Sequence, residues 1–524
     1  MRLSAGLLVL VPALALASPA VRYNEPTLPS SAHGTLEASV EALVAEVAVA
    51  QRREPPRPDP RLSRAATDLV RVTPPDGRPS NEVVQAALWL NGILEPPPHL
   101  ILASMTTGPG GEEAMLAELR TQLPRALSQG RYRRVGVASR PLKDETLVIV
   151  ALQESGLELD PVARALPANG GTSLRGRLLS PFERPEAMVT GPEGQVTRLQ
   201  LGGDATRFSG SFRCGPRPGR YQIEVNGFDR FGATVLANFP VYCGVPAPSA
   251  LPSGGQAPED KLTDGPGAEA ALVKLVNADR ARAGLPPLAS DARLRDVARA
   301  HSADMREHGF VGHVSPSTGS AADRLKRANI GAQLILENVA RAYSPAEAER
   351  GLMESPGHRA NLLNREVTQL GVGVATTTEG VGGARELLVT QLFTRPVEKL
   401  DAHSTAALRR RIDELRRGKR LPQLGVDAAL DRVAQSTADE LARGALKQDR
   451  AGEPLERALG TLASHYKSMR SVVAVGAGTD GLVGGMQDAL VDGTATTCGI
   501  GLAAGKRADD SAAIFAVIVL ATRR

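Results

Sequence analysis

The chain has 524 residues, 42% of them hydrophobic and 23% charged, so it is long enough for several globular domains and is not a disordered polymer. Its formal net charge of +5 is too small at this length to indicate a dedicated nucleic-acid-binding protein. Its three cysteines exclude a disulfide-rich scaffold.

The first 20 residues have the three-part pattern of a secretory signal peptide. Arg2 precedes an apolar run from Leu7 to Ala17, and small residues offer cleavage after Ala17 or Ala20. Pro12 interrupts this run, which is also shorter than the roughly 20 apolar residues of a membrane span. We therefore predict that residues 1–20 direct export to the periplasm or out of the cell, and that the mature chain has no transmembrane segment.

Turn-forming segments divide the next part of the chain. Residues 36–155 are predicted to form a mixed α/β domain. Short alternating runs separated by glycine and proline predict a small β-sandwich over 173–245. A segment rich in Pro, Gly, Ser and Ala predicts an exposed linker over 246–267. Cys214 and Cys243 lie near the ends of two sandwich strands, and in an exported chain they are predicted to form a disulfide bond.

The second half of the chain contains an internal repeat. Leu272–Ala298 and Leu408–Ala434 are identical at ten of 27 aligned positions, and both predict two helices joined by a Leu-Pro turn. Residues 268–397 and 402–524 are therefore predicted to be two copies of one α+β fold, arranged as a layered sandwich. A fainter echo in residues 36–155 suggests a third, degenerate copy.

Two histidines of the central copy are candidates for chemistry. His313 lies in a loop after the second predicted helix, and His358 begins a later helix after a Ser-Pro-Gly turn. Glu337 lies between them in the sequence. Two imidazoles and a carboxylate can bind a divalent metal ion or transfer protons, provided that the fold brings them together.

The motifs of the central copy resemble the CAP superfamily, named for cysteine-rich secretory proteins, antigen 5 and pathogenesis-related proteins, and in particular its bacterial SCP-like extracellular branch. In order, they read ALVKLVNADRARAGLPPL, AHSADM, FVGHVSP, LENVA, SPGHRANLL and LGVGVA. The resemblance covers residues 268–397. It implies an α-β-α sandwich, an extracellular location and a shallow cleft that holds zinc or another divalent ion in some members.

The same resemblance assigns the cleft residues. His313, Glu337 and His358 match the family's first histidine, its glutamate and its second histidine. A second family glutamate has no clear counterpart, and Glu354 is the nearest candidate. Leu352 stands where bacterial members often carry tryptophan, so one wall of the cleft is expected to differ.

The C-terminal copy is expected to keep the frame without the site. Gln448 and Met486 stand at about the positions that face the two histidines, and no Glu-Asn pair faces Glu337. We therefore interpret residues 402–524 as a degenerate CAP-like domain with a structural or binding role.

Three functional hypotheses remain open. The first is a secreted binding module whose central cleft holds a divalent metal or small ligand, while the flanking domains contact a surface, a partner or the cell envelope. The second is a hydrolase or peptidase in which His313 or His358 acts as base together with Glu337, and a metal-activated water supplies the nucleophile. The third is a scaffold with a vestigial cleft. We favour binding, because Ser315 and Ser355 lie beside the histidines but sequence proximity does not make either a nucleophile.

Overall fold

The computed structural model describes residues 22–25, 34–74, 77–252, 265–377, 385–507 and 512–524. The predicted signal peptide lies outside the described residues, as does the centre of the predicted linker. Within these ranges, no helix combines the length and the apolar character needed to cross a bilayer.

The N-terminal region is a four-stranded sheet with helices packed on both faces. One apolar core joins the first and fourth helices to the sheet, and a second core joins the second and third helices to its other face. The elements are β1 (Arg22–Tyr23), α1 (Thr35–Ala50), β2 (Arg57–Pro58), α2 (Pro60–Val72), α3 (Asn81–Leu90), β3 (His99–Thr106), α4 (Gly111–Ser128), β4 (Tyr132–Pro141) and β5 (Glu145–Glu154).

The next region is a β-sandwich. Its strands are β6 (Leu157–Leu159), β7 (Val162–Ala163), β8 (Ala165–Leu166), β9 (Gly171–Leu178), β10 (Glu183–Thr190), β11 (Val196–Leu199), β12 (Leu201–Gly203), β13 (Arg207–Arg213), β14 (Gly219–Asp229) and β15 (Gly232–Cys243). They form two sheets with the orders β11-β10-β14-β15-β8 and β12-β13-β9-β6, while β1 pairs with β7. The predicted disulfide between Cys214 and Cys243 is confirmed, with a Cα–Cα distance of 5.8 Å.

The central region has three layers. Its elements are α5 (Gly265–Arg282), β16 (Ala289–Ser290), α6 (Ala292–His308), α7 (Ala321–Arg327), β17 (Ala332–Ala342), α8 (Pro345–Glu354), α9 (Pro356–Leu362), β18 (Gln369–Thr376) and β19 (Leu387–Pro396). Neighbouring residues of β19 face opposite sides, so Leu392 packs on α6 while Phe393 packs in the core of α5 and α8. The α+β class predicted from the sequence is confirmed.

The C-terminal region repeats this order of elements. It contains α10 (Ser404–Gly418), β20 (Gly425–Val426), α11 (Ala428–Ala442), α12 (Gly452–Gly460), β21 (Tyr466–Gly476), α13 (Thr479–Gly485), α14 (Gln487–Leu490), β22 (Thr497–Lys506) and β23 (Ala512–Arg523). Cys498, the free cysteine among the described residues, is buried in β22, and burial raises the pKa of its thiol.

Three sheets share one strand order. They run β2-β4-β5-β3, β16-β18-β19-β17 and β20-β22-β23-β21, and in each the first pair is parallel while the others are antiparallel. The duplication inferred from the repeats stays a prediction. The observation from the structure is that these sheets have the same topology.

Repeated glycines explain how closely a helix lies on each of two sheets. A Cβ atom on Gly371 or Gly373 would lie 2.3 or 2.0 Å from backbone atoms of α6. In the C-terminal region, a Cβ atom on Gly499 or Gly501 would lie 2.2 Å from the backbone of α11. Because no side chain fits at such distances, the GVG and GIG motifs are requirements of helix-on-sheet packing.

A buried arginine anchors the first helix of the same two regions. Arg280 is fully buried, and its guanidinium donates to the carbonyl oxygens of Pro286, Leu362 and Asn364 at 2.8–3.0 Å. Arg416 is also fully buried and donates in the same way to Pro422, Leu490 and Asp492 at 2.8–2.9 Å. Each guanidinium therefore connects, by hydrogen bonds, the loop that follows its own helix to the end of a helix that is distant in the sequence.

Candidate functional site

The candidate site lies at one edge of the central sheet. Strand β17, which carries Glu337, is an edge strand. His313 belongs to the loop that follows α6, and His358 belongs to α9, which packs with α8 and β17. Since α6 and α8 cover opposite faces of the sheet, the two histidine-bearing segments reach this edge from different layers.

His313 is held by a buried carboxylate. Its Nδ1 lies 3.0 Å from Oε1 of Glu337, and its side chain is 25% exposed while that of Glu337 is 4% exposed. The other carboxylate oxygen accepts a hydrogen bond from the buried guanidinium of Arg324. Burial raises the pKa of Glu337, but the hydrogen bond from His313 and the charge of Arg324 outweigh it, so the pKa lies below its usual value. An ionised carboxylate only accepts hydrogen bonds, so Nδ1 of His313 carries the proton.

His358 is held by a serine and, through it, by a second carboxylate. Its Nδ1 lies 2.6 Å from Oγ of Ser355, and the Ser355 hydroxyl donates to Glu224 of strand β14. Burial raises the pKa of Glu224 above its usual value, while the hydrogen bonds that it accepts from Ser355, Asn226 and Gly357 favour its ionised form. When Glu224 is ionised, the single hydroxyl proton of Ser355 is donated to it, so Nδ1 of His358 is the donor to Ser355. Burial, and then the charge of His313, lowers the pKa of His358 to about 3, so its ring is neutral at physiological pH.

The two rings therefore share one arrangement. Each has its Nδ1 hydrogen-bonded to an oxygen, which leaves the lone pair on Nε2. An imidazole whose Nδ1 is fixed in this way is oriented to ligate a metal ion or to accept a proton through Nε2.

The predicted glutamates do not join the histidines as free ligands. Both oxygens of Glu337 are engaged, by His313 and by Arg324, so this carboxylate orients a histidine. Glu354 lies 3.4 Å from the guanidinium of Arg220 in the sandwich, and no contact joins it to either histidine. Across the described ranges, no group of three or more His, Cys, Asp or Glu side chains is placed to hold a metal ion.

The two serines beside the histidines are not placed as nucleophiles. Ser315 is 3% exposed, and its Oγ accepts the backbone N–H groups of Ser317 and Thr318 in a turn. Ser355 is 4% exposed and stands between the carboxylate and the histidine, whereas a catalytic triad places the histidine between the acid and the serine.

Two residues of the site were missed by sequence reasoning. Arg324 lies in the short helix α7 among other charged residues, and no local pattern distinguishes it. Glu224 lies in a strand of another region, where polar residues alternate with apolar ones. That alternation is typical of a strand with one face in water, yet Gln222, Glu224 and Asn226 are all buried.

In the C-terminal region the corresponding positions carry no such chemistry. Met486 is 3% exposed in an apolar core with Leu482 and Leu490, and Gln448 lies exposed in a short 3-10 helix. The interpretation of residues 402–524 as a degenerate CAP-like copy stays a prediction.

The fold and the site define a three-layer domain with two oriented histidines at the edge of its sheet. Residues 273–393 match the model of the cysteine-rich secretory protein family, CAP, so this part of the chain is a CAP domain, as the sequence motifs predicted.

The chain is also similar to known proteins over part of its length. The chain is 41% identical over 106 residues to the uncharacterised protein YkwD of Bacillus subtilis, which is 20% of this chain and 41% of that protein. It is 42% identical over 108 residues to the uncharacterised membrane protein YlbC of Bacillus subtilis, covering 20% of this chain and 31% of that protein. The chain thus spans less than half the length of these curated relatives. Among solved structures, an extracellular SCP-domain protein from Bacillus anthracis is 26% identical, with a TM-score of 0.23 over 46% of this chain and 67% of its own.

Proposed function

We propose that the protein acts outside the cytoplasm as a binding protein, and that its CAP domain holds a divalent cation, zinc or a similar ion, through Nε2 of His313 and His358. The observation that carries this proposal is that both rings are fixed through Nδ1. Imidazole nitrogen is a preferred ligand for zinc and its neighbours, and an oxygen partner on the second nitrogen is the usual setting of a metal-binding histidine.

In this proposal the residues have separate roles. His313 and His358 would hold the ion, while Glu337 and Ser355 orient the two rings. When bound, the ion would supply a Lewis-acidic centre with open positions for water or a ligand group. With two protein ligands the affinity is expected to be well below that of a structural zinc site.

The location and the partners are part of the same proposal. The N-terminal pattern of residues 1–20 supports export. In the C-terminal region, α10 and the two residues that follow it expose several cations, Arg410, Arg417, Lys419 and Arg420, which suit contact with an anionic envelope component.

The test is a calorimetric zinc titration of the full, metal-stripped chain at pH 7.5. We expect one site of roughly micromolar affinity that is lost in both His313→Ala and His358→Ala. His308→Ala is the matched control, because His308 lies in the same domain with a 44% exposed side chain and should leave zinc binding unchanged. Absence of binding in the wild type would refute the metal site and favour the scaffold hypothesis. Zinc-dependent peptide or ester hydrolysis, lost in the same variants, would favour the hydrolase.

A further inference from the structure

The β-sandwich forms part of the cleft. Glu224, on the polar face of β14, is fully buried against the start of α9. Its Oε2 accepts the hydroxyl of Ser355. Its Oε1 accepts two N–H groups, from the side chain of Asn226 at 3.0 Å and from the backbone of Gly357 at 3.1 Å. Three donors from two regions of the chain therefore converge on one carboxylate.

The sandwich also holds the segment that carries His313. At the tip of the β14–β15 hairpin, the carbonyl oxygen of Phe231 accepts the N–H groups of His313 and Val314 at 2.7 and 2.9 Å. The ring of Phe231 stacks on Phe310, with 5.2 Å between centroids. Gly232 has a φ of +100°, and a Cβ atom there would lie 3.1 Å from Cβ of His313. One hairpin thus reaches both histidine-bearing segments.

We propose that the cleft is a two-domain site, and that Glu224 of the sandwich is a positioning residue that fixes His358, through Ser355, in the tautomer with its lone pair on Nε2. This inference deepens the proposed function and rests on it for its consequence in metal binding. The tautomer itself is a property of the chain alone.

With Glu224 ionised, its carboxylate accepts a hydrogen bond from the Ser355 hydroxyl, so the Ser355 oxygen accepts a hydrogen bond from Nδ1–H of His358. In Glu224→Gln, the two N–H donors at the Oε1 position select the amide oxygen there. The amide NH₂ then faces Ser355 and donates to its oxygen. The Ser355 hydroxyl turns to Nδ1 of His358, and the ring proton moves to Nε2. The ring keeps the same number of protons, but the nitrogen facing the cleft has lost its lone pair.

The test is nitrogen NMR of the full chain with ¹⁵N-labelled histidine at pH 7.5, where the ring signals of His358 are assigned by their loss in His358→Ala. We expect a protonated Nδ1 in the wild type and a protonated Nε2 in Glu224→Gln. Zinc affinity should fall by about 10–100-fold in that variant, the usual effect of losing an orienting partner. Glu158→Gln is the matched control, because Glu158 is an exposed sandwich glutamate paired with Arg177 and should change neither reading.

The outcomes separate this inference from the proposed function. A protonated Nε2 in the wild type, or an unchanged tautomer in a folded Glu224→Gln, would overturn the positioning role. A tautomer switch without zinc binding in the wild type would support the role of Glu224 and refute the metal site. If Glu224→Gln does not fold, Ser355→Ala provides the second test, because it leaves Glu224 with its two N–H donors but removes the link to His358. The ring should then no longer be held in the single tautomer with its proton on Nδ1. An unchanged ring spectrum would refute the role of Ser355 as the link between Glu224 and His358.

Discussion

Arg324 is predicted to stabilise the cleft, because it neutralises a carboxylate that is out of contact with water. Arg324 and Glu337 each have a 4% exposed side chain. The guanidinium also donates to the carbonyl oxygens of His313 and Gly319, at 3.2 and 2.6 Å. Arg324→Met keeps most of the apolar stem but leaves Glu337 buried with His313 as its remaining partner. Removing one member of a buried ion pair typically costs about 3–5 kcal/mol.

The pH dependence of this cost follows from the pKa of Glu337. In the wild type that pKa is lowered, so the pair stabilises the fold above the ordinary value of 4.5, and this stabilisation is lost as the pH falls through the folded-state pKa. Without the charge of Arg324, burial has the larger effect on the pKa of Glu337 and raises it. The variant is therefore expected to protonate Glu337 at a higher pH than the wild type does. The difference in stability between wild type and variant should therefore be largest near neutral pH and should shrink toward pH 4. The charged or titratable groups that face Glu337 are Arg324, His313 and His301.

Hydrogen exchange measured by mass spectrometry is the appropriate assay, because a chain with several regions has no single unfolding transition. Peptides from β17 and α7 should exchange faster by about two to three and a half orders of magnitude in Arg324→Met at pH 7, the range that corresponds to about 3–5 kcal/mol. Lys326→Met is the control on the same helix, where the side chain is exposed and little change is expected. Equal exchange in the two variants at pH 7, or a difference that grows as the pH falls, would refute the reasoning.

Two further predictions concern the fold. Arg280→Met should lower the free energy of local opening of the CAP domain by about 3 kcal/mol or more, because a buried guanidinium and its three hydrogen bonds to carbonyl groups are lost. Arg416→Met should do the same in the C-terminal region. Exchange that rises in both regions for either variant would contradict this local role. Replacing Cys214 and Cys243 together by serine opens a loop with a sequence separation of 29, which should destabilise the sandwich by about 3–4 kcal/mol in the chain-entropy model. Thermal unfolding with and without reductant checks this value, and an unchanged midpoint for the sandwich would refute it.

The parts of the fold that the sequence predicted are those fixed by local pattern. The alternating runs of the sandwich and the paired cysteines each state a local requirement, and the structure contains both the strands and the disulfide bond. His313 and Glu337 were also predicted together, and they form a hydrogen bond. Their assignment came from the motifs, since a separation of 24 residues has no geometric meaning without the fold.

The parts that sequence reasoning did not reach depend on packing between regions. Glu224 follows the polar alternation of a solvent-exposed strand face, but α9 covers that face, and the buried carboxylate is satisfied by Ser355 and Gly357 of the CAP domain. The expected role of Glu354 depended on its distance from His358 along the chain. In the structure its carboxylate extends toward Arg220, a cation that no analysis confined to the central copy would include.

The fold of the CAP domain does not depend on its histidines. The C-terminal region has the same strand order, the same paired glycines against its second helix and the same buried arginine, here Arg416. Where the CAP domain carries His358, it carries Met486 in an apolar core. The glycines and the arginine therefore hold the helices against the sheet in both regions. The histidines lie at one edge of the sheet, and the C-terminal region forms the same sheet without them. In the CAP domain that edge instead contains two buried carboxylates, each of which costs free energy to bury. Glu337 is paired with Arg324 and orients His313. Glu224 is hydrogen-bonded to Ser355 and orients His358 through it. Each carboxylate thereby holds one imidazole ring in the orientation that the proposed binding function requires.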